Sequence, residues 1–139
     1  MVEVFLLETR AKILLVEDEP LISEVAAEAL EEQGFIVDAV ANAFDALRRL
    51  QRGPTVDILF TDINLPGGMD GTALARRARE LRPDLPVIYT SGSGAATDLP
   101  HRVEGAMFVS KPYDLFNLGR LVRHLVAASR MRVGAALSA

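Results

Sequence analysis

The chain contains no cysteine. Disulfide scaffolds, thiolate zinc sites, iron–sulfur clusters and cysteine nucleophiles are therefore excluded. No apolar run approaches the ~18 residues that a spanning helix needs, so no membrane segment is expected. The opening MVEVFLLETR lacks a basic n-region, and its apolar run is too short for a secretory signal. A cytoplasmic protein is the default. A surplus of positive charge is also missing: the net charge is −4, which disfavours direct contact with nucleic acid. Internal repeats, linkers and low-complexity segments are absent. What remains is 139 residues, 50% apolar and 24% charged, with a mean hydropathy of +0.21. That composition excludes general disorder and suits one domain, with roughly two-thirds of the unfolded surface buried on folding.

The charge is unevenly spread. Residues 1–70 hold 5 Lys/Arg against 14 Asp/Glu, while residues 71–139 hold 10 against 5. Short apolar runs read as buried strands at KILLV (12–16), Phe35–Ala41, Val56–Thr61, Pro86–Ser91 and Ala106–Ser110. Between them the apolar spacing turns helical. Ile22, Val25, Ala26, Ala29 and Leu30 mark one helix, with Pro20 at its start and Gly34 at its stop. Asn42, with Asp45 three residues on, predicts a capped start for a helix to Gln51. Leu74, Ala78 and Leu81 give another, ended by Pro83. Leu115, Leu118, Val122, Leu125 and Val126 mark the last, with Arg120 and Arg123 off its apolar face and available to a partner or a symmetric dimer. Residues 92–105 are expected to form a short helix or a loop, and residues 129–139 a frayed tail.

Five strands alternating with helices predict a doubly wound, all-parallel α/β sheet covered on both faces. Ligands in such folds bind outside the carboxyl ends of the strands. Glu17, Asp18 and Glu19 follow the first strand, Asp62 the third, Ser91 the fourth and Lys111 the fifth. These ends share one edge, so carboxylates, a hydroxyl and an ammonium converge. Crowded carboxylates must protonate or share a cation. An oxygen-only donor set suits a hard ion, Mg²⁺ above all. A carboxylate beside a metal and a lysine can act as nucleophile toward a phosphoryl group, giving an aspartyl phosphate.

The segments LLVEDEP (14–20), LFTDINLPGGMDG (59–71), PVIYTSG (86–92) and FVSKPY (108–113) resemble a response-regulator receiver domain of bacterial two-component signalling, of the chemotaxis, stand-alone type. The resemblance covers residues 12–128 and leaves residues 1–11 as an N-terminal extension and 129–139 as a C-terminal tail. It implies a flavodoxin-like sheet in the order 2-1-3-4-5. It makes Asp62 the phospho-acceptor. Mg²⁺ would be held by Asp18, Asp62 and the backbone carbonyl of Asn64, and through water by Glu17. Lys111 becomes the characteristic lysine, Ser91 the switch hydroxyl and Phe108 the switch aromatic. The Lys111–Pro112 bond is expected to be cis. Ser91, five residues after Pro86 and just before Gly92, fits the pattern, whereas Thr90 falls out of phase. The loop after Asp62 is one Gly longer than the commonest form. The segment between Ser91 and Lys111 is short and Gly-rich, so a helix there should be brief or distorted.

The implied partners are a sensor histidine kinase or a histidine phosphotransfer protein, plus an unidentified output protein. Direct nucleic acid and membrane are not expected, and a homodimer is allowed. Such a chain self-phosphorylates and signals, rather than turning over substrate as an enzyme. With about 11 residues after the last helix, a stand-alone receiver, or an excised one, is expected. Competing readings fare worse. A haloacid-dehalogenase-type phosphatase needs an acid two residues past Asp62, where Asn64 stands, and this length leaves little room for a cap domain. A flavodoxin-like FMN site would have its phosphate repelled by Glu17, Asp18 and Glu19. The serious alternative is a receiver-like interaction module that is not phosphorylated, against which the complete residue set argues.

Overall fold

The computed structural model describes residues 10–53, 55–92 and 101–138, with side chains described through Arg132. The elements run β1 (Lys12–Val16), α1 (Pro20–Glu32), β2 (Ile36–Val40), α2 (Ala43–Gln51), β3 (Ile58–Asp62), α3 (Gly71–Leu81), β4 (Val87–Ser91), β5 (Met107–Ser110) and α4 (Leu115–Ser138). All strand pairs are parallel, in the order β2-β1-β3-β4-β5. The fold expected from the sequence is the fold observed.

The three inner strands, KILLV, ILFTD and VIYTS, are buried almost throughout. They are covered on both faces, which is why they read as continuous apolar runs rather than as alternating ones. Leu14, Leu59, Val87 and Tyr89 face α2 and α3, against Leu47, Leu50, Leu74 and Ala78. Ile13, Leu15, Phe60 and Ile88 face α1 and α4, against Leu30, Leu118, Val122 and Val126. Each such side chain contributes on the order of 1.5–3 kcal/mol by leaving water. The edge strands β2 and β5 carry exposed positions, such as Ile36 and Met107.

Local signals set the helix ends. Asn42 Oδ1 accepts from the Asp45 amide at 2.8 Å, as its spacing predicts. Asp70 caps α3 in the same way, accepting from the Ala73 amide at 2.8 Å. Each cap contributes roughly 1 kcal/mol. Gly34, at φ +100°, stops α1, and the chain turns so that the Phe35 amide reaches the Leu30 carbonyl at 3.2 Å.

Three expectations need correction or restriction. Residues 129–138 are not a frayed tail, because α4 runs on to Ser138. Its continuation is docked where Ser129 Oγ donates to the Asp84 carbonyl at 3.1 Å and Arg130 pairs with Asp57 at 3.6 Å. Arg123 is not free for a partner: it donates to the Gln33 carbonyl and lies 4.8 Å over the Phe35 ring. The helix expected between β4 and β5 falls mostly on residues 93–100, and the N-terminal extension on residues 1–9, both outside the described residues. Among the described residues no helix is long and apolar enough to cross a membrane.

Gly71 opens α3 directly beneath the end of β3. Its amide donates to the Ile63 carbonyl at 2.8 Å, and a Cβ there would overlap the Asp62 carbonyl oxygen. That neighbour is backbone and cannot swing aside. Gly71→Ala should therefore cost about 1–3 kcal/mol in urea unfolding. Gly92→Ala, where a Cβ meets nothing within 4 Å, should change stability by less than about 1 kcal/mol. Equal midpoints for the two variants would show that the approach of α3 to Asp62 is not tight.

Candidate functional site

The parallel sheet brings the carboxyl ends of β1, β3, β4 and β5 to one edge, so residues far apart in sequence meet there. Lys111 Nζ stands 2.6 Å from Glu17 Oε1 and 2.6 Å from Asp62 Oδ2. The remaining carboxylate oxygens are held by the backbone. Glu17 Oε2 accepts from the Glu19 amide at 3.2 Å, and Asp62 Oδ1 accepts from the Asn64 amide at 2.9 Å. Glu17 and Asp62 are buried, with side chains only 2% and 7% exposed. Asp18 is exposed, and its carboxylate, with those of Glu17 and Asp62, forms a group whose oxygens lie within 4.8 Å of one another. Asn64 Nδ2 donates to Ser91 Oγ at 3.2 Å, which carries the constellation across to β4.

Burial raises the Glu17 carboxyl above its usual range. The Lys111 ammonium and the Glu19 amide pull it back, and the Asp62 charge adds to the rise. Burial alone would lower the Lys111 ammonium, but its hydrogen bonds to Asp62 and Glu17 outweigh that and hold it well above the ordinary lysine range. Tyr113, edge-on to Phe60 with ring centroids 5.4 Å apart, is pushed up to about 12, chiefly by burial and then by the Glu17 charge. The edge is thus a permanently charged ammonium between two buried acids, with a third acid open to solvent. Clustered hard oxygens of this kind fit a divalent cation that keeps several waters.

The sequence model of the response regulator receiver domain matches residues 13–123. The chain belongs to that family. Receiver domains bind Mg²⁺ at an acidic site and accept phosphoryl groups from histidine kinases. This receiver is 36% identical over 123 residues to the response regulator receiver protein CpdR of Brucella abortus, covering 85% of its own length and 98% of CpdR. It is 37% identical over 121 residues to the transcriptional regulatory protein TcrA of Mycobacterium tuberculosis, covering 86% of itself but 46% of TcrA. The chain thus spans about half the length of one such relative and nearly all of another. A response regulator receiver protein from Sinorhizobium medicae superimposes with a TM-score of 0.81 at 32% identity, over 86% of this chain and 97% of that one. The receiver domain of the sensor histidine kinase PA1611 from Pseudomonas aeruginosa has a magnesium ion coordinated in its active site cleft. It matches with a TM-score of 0.74 at 26% identity, over 85% of this chain and 98% of that one.

The residues singled out from the sequence do meet. Glu17, Asp18, Asp62, Asn64, Ser91 and Lys111 share this edge, and the Lys111–Pro112 bond is cis. Phe108 is half-buried and packs with Tyr89 on the α2–α3 face, while its neighbour Val109 packs on the other. Strand alternation puts Ser91 on the Phe108 side and Thr90 on the opposite one. Thr90 Oγ1 is buried without a hydrogen-bond partner among the described residues. Two positions escaped the sequence reading. Gly71 lies inside the quoted loop motif, but no sequence signal says what its missing side chain makes room for. Tyr113 follows the Lys-Pro pair, and its proximity to Glu17 and Asp62 comes only from the fold.

Removing the ammonium should expose the cost of the buried acids. Lys111→Met should lose about 3 kcal/mol of unfolding free energy at neutral pH, the low end for breaking a buried pair because the edge is partly wet. The loss should shrink on acidification as the carboxyls protonate, which parallel urea titrations will show. The phenols give a second check. Both tyrosines are raised above the ordinary value of 10, Tyr89 also mainly by burial. Each therefore contributes stability that is fully present below pH 10 and is lost as pH rises through its raised value, which for Tyr113 is about 12. Tyrosinate absorbance in metal-free buffer should stay well below half its maximum at pH 10. A full equivalent ionising there with the fold intact would contradict the packing of one ring.

Proposed function

We propose that this receiver takes a phosphoryl group onto Asp62 from a phosphohistidine protein, either a sensor histidine kinase or a histidine phosphotransfer protein. The observation that carries the reading is the position of the Asp62 carboxylate. It is buried, 2.6 Å from the Lys111 ammonium, and grouped with the Glu17 and Asp18 carboxylates. A carboxylate oxygen of Asp62 attacks the phosphorus, a P–O bond forms as the P–N bond breaks, and the imidazole departs with the bonding electron pair. Asp18, Asp62 and the Asn64 carbonyl, with Glu17 through water, would hold a Mg²⁺ ion, which would supply neutralisation of the phosphoryl oxygens. Lys111 supplies a second positive charge. Once Asp62 carries the phosphoryl group as an acyl phosphate, the ammonium pairs with the new anion, and the Ser91 hydroxyl donates to it. Phe108, on the Ser91 side of the sheet, responds to the space that this movement leaves.

A cleft beside the site supports delivery by a protein donor. It holds about 470 Å³ and runs from Leu21, Ile22 and Val25 of α1 to Pro112, Tyr113 and Leu115, with Lys111 in its wall. Leu21 and Val25 stand 76% and 56% exposed in its lining, an apolar surface suited to a helical partner. The output is a changed protein-binding surface or onward transfer of the phosphoryl group, in the cytoplasm, with a homodimer as one form that surface can take.

Incubation with acetyl phosphate and Mg²⁺ should add one phosphoryl group by intact mass to the wild type and none to Asp62→Asn. Label persisting in Asp62→Asn overturns the acceptor. An unlabelled wild type, with phosphohistidine donors as well, would instead mean an interaction module that works without phosphate.

A further inference from the structure

Tyr89 lies in the middle of β4, only 1% exposed. A phenol buried that deeply needs a polar partner. Its partner is distant backbone: the Val103 amide donates to Tyr89 Oη at 3.1 Å. Val103 opens the turn that feeds β5. The Ala106 amide donates back to the Val103 carbonyl at 3.3 Å, and Gly105, at φ +75°, occupies the position where a type II turn requires a left-handed residue. β5 starts at the next residue, Met107. A second side chain holds the same turn from α3. Arg79 donates from Nε to the Leu85 carbonyl at 2.6 Å and from Nη2 to the Glu104 carbonyl at 2.8 Å.

The placement of Tyr89 is what matters. It stands two residues before Ser91, on the same face of β4, and directly beside Phe108 in the β4–β5 register. Phe108 has no hydroxyl with which to fix its own position. The hydroxyl that fixes the approach to β5 belongs to its cross-strand neighbour. Resting on the reading of Asp62 as acceptor, we propose that Tyr89 is a positioning residue that couples Ser91 to Phe108. Its hydroxyl ties the Val103–Ala106 turn to the strand carrying Ser91, so a shift of Ser91 toward a phosphoryl group on Asp62 is transmitted to the start of β5. Backbone bonds do not stretch, and the close-packed cluster around Tyr89 leaves no slack, so a displacement of a few tenths of an ångström at Ser91 reaches the phenol. A hydrogen bond near the middle of its distance range responds to a shift of that size.

The test compares the full-length wild type, Tyr89→Phe and Arg79→Gln, each with and without acetyl phosphate and Mg²⁺, with phosphorylation followed by intact mass. In the wild type, phosphorylation should change hydrogen exchange of the Val103 amide by about fivefold or more, the scale of ordinary coupling between sites. Tyr89→Phe should be phosphorylated as fully as the wild type. Its Val103 amide should exchange fast in both states, and the phosphorylation-dependent shift of the Phe108 ring resonances should be lost. Arg79→Gln loosens the turn from the other side, so it should speed exchange in both states and keep the wild-type ratio between them. A Tyr89→Phe protein that is fully phosphorylated and keeps the wild-type Phe108 response would leave Tyr89 a structural residue only and overturn the proposal. A wild type that gains no phosphoryl mass from acetyl phosphate or from a phosphohistidine donor would overturn the acceptor reading itself, and the coupling with it.

Discussion

Three strands of this sheet end at one ammonium group. Lys111 reaches Glu17 after β1 and Asp62 at the end of β3, each at 2.6 Å, although β4 lies between β3 and its own strand. Without that cation, two buried carboxylates would face each other in a low-dielectric edge, and the unfavourable term would fall on the fold. The balance is incomplete by design of the residue set. With every group ionised, the acids Glu17, Asp18 and Asp62 against one lysine leave a formal charge of −2. A divalent ion followed by a phosphoryl anion is the chemistry such a residue can accommodate in turn.

The ammonium can hold its place because the layers behind it are rigid. Phe60 and Leu59 bury the two faces of β3 just before Asp62, and the backbone after Asp62 is closed by the Ile63 carbonyl and the start of α3 at Gly71. Asp62 therefore stands on a strand end held from both sides. What can move is the side-chain set at the rim, where Asn64 meets Ser91 and where Phe108 is only half-buried. A fixed strand end beside a rim of side chains with two possible packings is what a two-state switch needs.

The central strands were legible because burial on both faces writes itself as an apolar run, and because each run stops at a charged or hydroxyl residue. KILLV before Glu17 and ILFTD show this directly. Asn42 and Gly34 were legible as chemistry that acts on its immediate neighbours. Features made by distant contacts were not. Arg123 looks like any solvent-facing arginine on an amphipathic helix until Phe35 and the Gln33 carbonyl are brought beneath it. The stretch after Ala128 reads as loose because ends of chains tend to fray, yet the helix continues, docked at its root by Ser129 on Asp84 and Arg130 on Asp57. Phe35 reads as the first residue of a strand from its side chain alone. Its amide instead closes the α1 terminus on Leu30, so β2 starts one residue later.

The order in which the chain supplies the site has a consequence for synthesis. Glu17 and Asp62 come early, but Lys111 comes from the last strand, and the parallel pairing of β4 with β5 must be complete before it arrives. Such long-range pairings form late, because loop closure is paid for before the contacts reward it. A growing chain therefore carries the Asp62 carboxylate long before it carries the cation that pairs with it. During that interval the aspartate has no ammonium beside it. The acidic edge gains its cation only with the closing strand, so an edge with its charges paired is also the mark of a completed sheet.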